Sequence, residues 1–91
     1  MLYAIVCIDK PGHLAVRQQN REAHLAHIRA TDGAIVMAGP FLDDAGAMCG
    51  SLLVYDAEDR ATVEAWCAAD PYALAGLFER VEIRAWNKVV G

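Results

Sequence analysis

Leu2-Tyr3-Ala4-Ile5-Val6-Cys7-Ile8 places seven consecutive apolar residues near the start of the chain, stopped at once by Asp9-Lys10-Pro11-Gly12. The Ile, Val and Tyr content and the turn residues behind the run read as a β-strand. Successive side chains of a strand point to opposite faces. Leu2, Ala4, Val6 and Ile8 therefore share one side, and Tyr3, Ile5 and Cys7 the other. Both sides are apolar, so this strand needs cover on both faces.

The residues that follow supply cover for one of them. From His13 to about Ala30 there is no Gly or Pro, and Leu14, Leu25 and Ile28 recur at helical spacing. Thr31-Asp32-Gly33 ends that helix with a glycine able to take positive φ. Ala34 to Ala38 is a second apolar strand closed by Gly39-Pro40, and Phe41 to Gly50 reads as a loop around Asp43-Asp44-Ala45-Gly46. Ser51 to Tyr55 is a third strand. Asp56 is the expected N-cap of a second helix, with Glu58 and Asp59 in its first turn and Val63, Trp66 and Cys67 on one side. That helix must stop before Pro71, and Pro71 to Gly76 has room for one short turn. Phe78 to Val90 reads as a last strand, in which Val81, Ile83 and Ala85 alternate with Glu82, Arg84 and Trp86.

The order strand-helix-strand-strand-helix-strand, without linker or repeat, predicts one domain over residues 1–91. Its class is α+β: a ferredoxin-like βαββαβ sandwich, a four-stranded antiparallel sheet with two helices on one face. Two helices leave the other face bare. Three strands apolar on both sides would then expose a patch larger than a monomer tolerates. Dimerisation sheet to sheet, giving a homodimer, would bury it; loops folded back over the second face are the alternative.

Composition agrees with a small, unusually apolar chain. The AVILMFWYC residues make up 56%; leaving out the three Tyr and adding the seven Gly brings the share to about 60%, against the usual ~45–50%. The formal charge of −4 disfavours nucleic acid and anionic membrane surfaces as partners. No apolar run approaches the roughly 18 residues of a membrane span. Met1-Leu2-Tyr3 has no basic lead-in, so a signal peptide is not expected. Cys7, Cys49 and Cys67 are odd in number and share no short spacing, which fits neither a disulfide framework nor a zinc site and points to a reducing cytoplasm.

Chemistry-bearing residues are few. Arg17, Arg21, His24 and Ile28 fall on one stripe of the first helix. Beside Leu25, His24 is placed at the border of the buried face, where an imidazole suits proton transfer near neutral pH; an ordinary surface histidine is the other reading. His24 and His27 form an HxxH pair, but no third ligand stands at metal-site spacing, so no metal is expected. Asp70 before Pro71 is a strong helix start, and a capping carboxylate held in place can also orient an imidazole. Gly39-Pro40 and Gly50-Ser51 read as strand-end turns, with Ser51 a hydrogen-bond donor near the sheet edge. Asp43-Asp44 reads as a solvated turn, and Cys49 lacks a placed base.

Arg17-x3-Arg21-x2-His24-Leu25, Gly39-Pro40, Gly50-Ser51, Ala65-Trp66, Ala69-Asp70-Pro71-Tyr72 and Ala75-Gly76, with Met1-Leu2-Tyr3 and Asp9-Lys10, together resemble the YCII-related (YciI-like) family over essentially the whole chain. The resemblance implies a ferredoxin-like fold paired as a dimeric α/β barrel, with His24 and Asp70 as the catalytic pair. Some relatives are linked to dehydrochlorination or lyase-type chemistry on chlorinated hydroxyquinols. The loop from Pro40 to Gly50 looks shorter than in some relatives.

Two functional classes follow. One is a cofactor-free lyase or isomerase acting on a small polar or aromatic molecule. In it His24 is base or acid, Asp70 holds its tautomer, and Arg17, Arg21 and Ser51 contact the substrate. The other is a non-catalytic small-molecule-binding or protein-interaction module. For both arginines, plain solvated charges on a helix face remain the alternative.

Overall fold

The computed structural model describes residues 1–91. β1 (Leu2–Asp9) is followed by α1 (Leu14–Arg29), β2 (Ile35–Leu42), β3 (Met48–Asp56), α2 (Arg60–Ala68), the short α3 (Pro71–Leu74) and β4 (Phe78–Trp86). The strands form one antiparallel sheet in the order β2-β3-β1-β4. This is the expected α+β ferredoxin-like architecture, with α3 as the extra turn anticipated at Pro71. No helix is long and apolar enough to cross a membrane.

Register explains the two apolar sides of β1. Tyr3, Ile5 and Cys7 stand beside Tyr55, Leu53 and Ser51 of β3 and beside Ala85, Ile83 and Val81 of β4. That face carries the core, in which Tyr3, Ile5, Cys7, Leu53 and Tyr55 pack with Val63 and Trp66 of α2. Leu2, Ala4, Val6 and Ile8 point the other way and stay partly open. Leu52 of β3 and Met37 of β2 continue that open face and are exposed. Arg80, Glu82 and Arg84 border it on β4, where Arg84 Nη1 lies 2.9 Å from Glu82 Oε1.

Several boundaries differ from the sequence expectation. Gly39-Pro40 does not end β2; the strand runs on to Leu42, and β3 begins at Met48, so the loop shrinks to residues 43–47. Pairing with β3 carries the strand through this stretch, because Pro40 lies on an edge strand, where a missing N–H is tolerated. Asp43 Oδ1 accepts the N–H groups of Ala45 and Ala47 at 2.9 Å each, which closes the loop as a turn. Gly50 is a point of close approach inside β3: a Cβ there would run into the Cys7 carbonyl oxygen, with Phe41 Cδ2 3.0 Å away. The N-cap of α2 is Asp59, whose carboxylate accepts from Thr62 N at 2.9 Å, because Asp56 still belongs to β3 and pairs with Leu2. β4 ends at Trp86 rather than Val90.

The inward side of α1 also differs. Leu14 is exposed, and the residues α1 buries are Arg17 and His24. The helix packs against α3 and meets the sheet through Ile28 against the core and through Arg17, which reaches Asp9 of β1 and Ser51 of β3. A cavity lies where an apolar helix face would have filled the space.

Candidate functional site

Pro71 starts α3 with its fixed φ, and Asp70 caps it, the side chain accepting the Tyr72 backbone N–H at 3.0 Å. The same carboxylate oxygen, Oδ1, lies 2.9 Å from His24 Nδ1. Both side chains are buried, at 7% and 3% exposure. An ionised carboxylate only accepts, so Nδ1–H donates, and in the neutral imidazole the lone pair stands on Nε2. Every buried side-chain nitrogen and oxygen has a partner in the chain. His24 Nε2 has none there, so it opens onto the cavity that His24 lines.

Arg17 is not a solvated helix charge. It is 3% exposed, with Nε 2.7 Å from Asp9 Oδ2 and Nη2 2.9 Å from Asp9 Oδ1, a bidentate pair with Asp9 at the end of β1. Burial opposes its charge, but the Asp9 hydrogen bond and negative charge outweigh this and raise its pKa above the ordinary value. Nη2 also donates to Ser51 Oγ at 2.9 Å. Ser51 thus accepts from Arg17 and keeps its own O–H to donate. It lies on β3, an inner strand, rather than at the sheet edge expected for it. Arg21 lines the same cavity but is half exposed, its nearest acid being Glu22 at 4.0 Å.

Tyr72 ties these groups together. Its ring stacks on the His24 imidazole with centroids 4.0 Å apart and planes at 15°, and the Arg17 guanidinium carbon is 4.7 Å from its centroid. Burial raises the phenol pKa, with Arg17 and Arg21 pulling against it. Tyr72 and Asp9 were missed as site residues. Asp9 directly follows the β1 run, where it reads as a turn residue, and Tyr72 reads as the filler of a short turn. An arginine on the otherwise inward stripe of α1 was the available signal that a buried acid had to face it.

His27 does not join the site. Its Nε2 lies 2.9 Å from the Trp66 carbonyl oxygen and its ring stacks on Trp66 at 4.4 Å, pinning α1 to α2. Cys7 and Cys67 are both pushed up to about 12, mainly by burial, which leaves them as unreactive thiols.

The cavity measures about 140 Å³ and is walled by α1, β2, β3 and Tyr72; Leu25, Ile28, Ala38, Pro40, Met48 and Leu53 supply its apolar surface. An apolar cavity of about 150 Å³ holds a benzene ring. The polar residues among its lining are His24, Ser51, Tyr72, Arg17 and Arg21. Such a site can take a proton from a single-ring molecule and hold the oxyanion left behind.

The βαββαβ fold and its likeness to solved structures place the molecule in the class of folds called dimeric α/β barrels. Within that class it belongs to the YCII-related domain family, whose model matches residues 1–87. Protein YciI of Escherichia coli is 36% identical over 97 aligned positions covering 98% of this chain and 99% of that one, and its Shigella flexneri counterpart matches equally. Among solved structures, 5-chloro-2-hydroxyhydroquinone dehydrochlorinase (TftG) from Burkholderia phenoliruptrix, in complex with 2,5-dihydroxybenzoquinone, superposes with a TM-score of 0.88. It is 36% identical, over 96% of this chain and 94% of that one. An antibiotic biosynthesis monooxygenase shares the fold alone, with a TM-score of 0.59 and 14% identity over 99% of this chain and all of the other.

Proposed function

We propose that the protein is a cofactor-free enzyme that moves protons on a small hydroxylated ring and eliminates a leaving group from it, as a lyase or dehydrochlorinase does. The observation that carries this reading is the buried 2.9 Å contact between Asp70 Oδ1 and His24 Nδ1 beside a ring-sized cavity that His24 lines, which in the neutral imidazole leaves Nε2 as the base. The likeness to a dehydrochlorinase structure holding a dihydroxybenzoquinone supports the substrate class.

In this scheme His24 Nε2 takes the proton of a ring hydroxyl, and the O–H electron pair becomes a carbonyl π bond. The displaced ring π pair is protonated at the carbon bearing the leaving group, making that carbon tetrahedral. Removal of a second hydroxyl proton then expels the leaving group with its bonding pair. The sum is loss of HX, with no external electron acceptor. Asp70 holds the reactive tautomer and stabilises the imidazolium. Arg17, Ser51 and, at the mouth, Arg21 bind the developing oxyanion.

The open sheet face, apolar across β1, β3 and β2 and charged along β4, fits a second copy packed sheet to sheet. Its test is sedimentation, where a single-copy species at micromolar concentration counts against it. Three free cysteines fit a reducing compartment such as the cytoplasm.

The deciding experiment offers 5-chloro-2-hydroxyhydroquinone and follows chloride release by wild type and His24→Ala. Loss of release by at least about 10²-fold in the variant, with 2,5-dihydroxybenzoquinone still bound, is the expected result. Binding without turnover in the wild type would instead support a ligand-binding module.

A further inference from the structure

The elimination scheme needs an acid as well as a base, because the ring carbon must gain a proton while a ring hydroxyl loses one. The polar residues lining the cavity are Arg17, Arg21, His24, Ser51 and Tyr72. Guanidinium groups do not give up protons, and an aliphatic hydroxyl is a far weaker acid than a phenol. His24 enters the first step with Nδ1–H committed to Asp70 and Nε2 bare. Two groups can then protonate the ring carbon: the imidazolium formed when His24 takes the hydroxyl proton, and the Tyr72 phenol.

Its position fits the role. The Tyr72 and His24 rings stack at 4.0 Å, and both residues line the same cavity. Arg17 is the hydrogen-bonding neighbour of the Tyr72 hydroxyl and, as a guanidinium, can only donate to it, which leaves the phenol proton available. Arg17 over the ring, and Arg21 at the mouth, lower the cost of a transient phenolate. Burial keeps the group protonated between turnovers.

We infer that Tyr72 is the general acid working opposite His24, delivering its hydroxyl proton to the ring carbon while the imidazole takes the proton of a ring hydroxyl. The inference rests on the proposed role of His24 as base. After the first transfer the enzyme holds an imidazolium and a phenolate. The imidazolium proton passes to the phenolate, directly or through one water, which restores Nε2 for the second deprotonation. The second deprotonation leaves an imidazolium, which gives its proton to water as the leaving group departs; protons and electron pairs then balance, and the enzyme ends as it began.

The ketonisation half of this sequence can be read without a leaving group. In oxygen-free D₂O, a proton acid at the ring carbon exchanges ring C–H of benzene-1,2,4-triol for deuterium, which proton NMR follows as signal loss above the buffer rate. Wild type is expected to accelerate exchange and His24→Ala to abolish the acceleration. Tyr72→Phe keeps the stacked ring and the backbone N–H that donates to Asp70. It is expected to slow exchange by about 10²-fold or more, while its affinity for 2,5-dihydroxybenzoquinone stays within about threefold of wild type. Tyr72→3-fluorotyrosine, nearly isosteric and more acidic, is expected to change the rate while leaving the melting temperature alone.

Exchange by Tyr72→Phe at the wild-type rate, or an unchanged rate with 3-fluorotyrosine, overturns the assignment of Tyr72 while leaving His24 in place. Exchange by His24→Ala at the wild-type rate overturns the base, and a wild type no faster than buffer overturns both.

Discussion

α2 turns Val63 and Trp66 onto Tyr3, Ile5, Leu53 and Tyr55, whereas α1, on the same side of the sheet, turns Arg17 and His24 inward. The first arrangement removes apolar surface from water, at about 25 cal/mol per Å², and asks nothing of geometry beyond fit. The second takes a guanidinium and an imidazole out of water and is tolerable only because Asp9, Ser51 and Asp70 meet their hydrogens. One helix supplies stability; its neighbour gives some of it up to hold chemical groups in fixed positions. The cavity lies on the side of the second.

That contrast can be broken at three points. The largest effect belongs to Asp70→Asn. Asparagine caps a helix about as well as aspartate, so melting is expected to move little. An amide does not enforce the Nδ1–H tautomer, however, and kcat on the chlorinated probe is expected to fall by about 10²–10⁴. Nitrogen NMR of the imidazole would show the tautomer shift, and an unchanged kcat would put the orienting role of Asp70 aside.

Next comes the Arg17–Asp9 pair. Arg17→Met strands a carboxylate whose side chain is 6% exposed and is expected to cost about 3–5 kcal/mol in urea unfolding. Adding Asp9→Leu should restore most of that, since apolar residues of similar volume replace such pairs without net loss. If the double variant stays as unstable as the single one, the pair contributes stability after all and the contrast with α2 fails. Smallest is Val63→Ala, expected to cost about 2 kcal/mol through two lost methyl groups and the space they leave. Here kcat is expected to hold, and a fall in kcat would show that α2 also positions the site.

The same contrast accounts for what the sequence reveals. Elements whose job is apolar burial are legible in it: β1 from its unbroken run, α2 from Val63 and Trp66, α3 from Asp70-Pro71. Asp70 and His24 are recognisable as candidates from residue type and cap position, but nothing in their spacing, 46 residues apart, brings them together; the α1–α3 contact does. β2 and β3 extend past Gly39-Pro40 and Gly50 because pairing along the sheet overrides local turn preference. The depth of Arg17 was hidden since its partner, Asp9, has the look of a strand-ending turn residue.

Asp70 Oδ1 serves two loads at once, the first turn of α3 and the imidazole. A helix of four residues has no persistence of its own. What holds it is the burial of Tyr72 and Asp70, each 2% exposed. In the proposed scheme, loosening α3 frees the imidazole along with the cap, so turnover is expected to depend on how firmly this one turn is seated and not on the sheet alone.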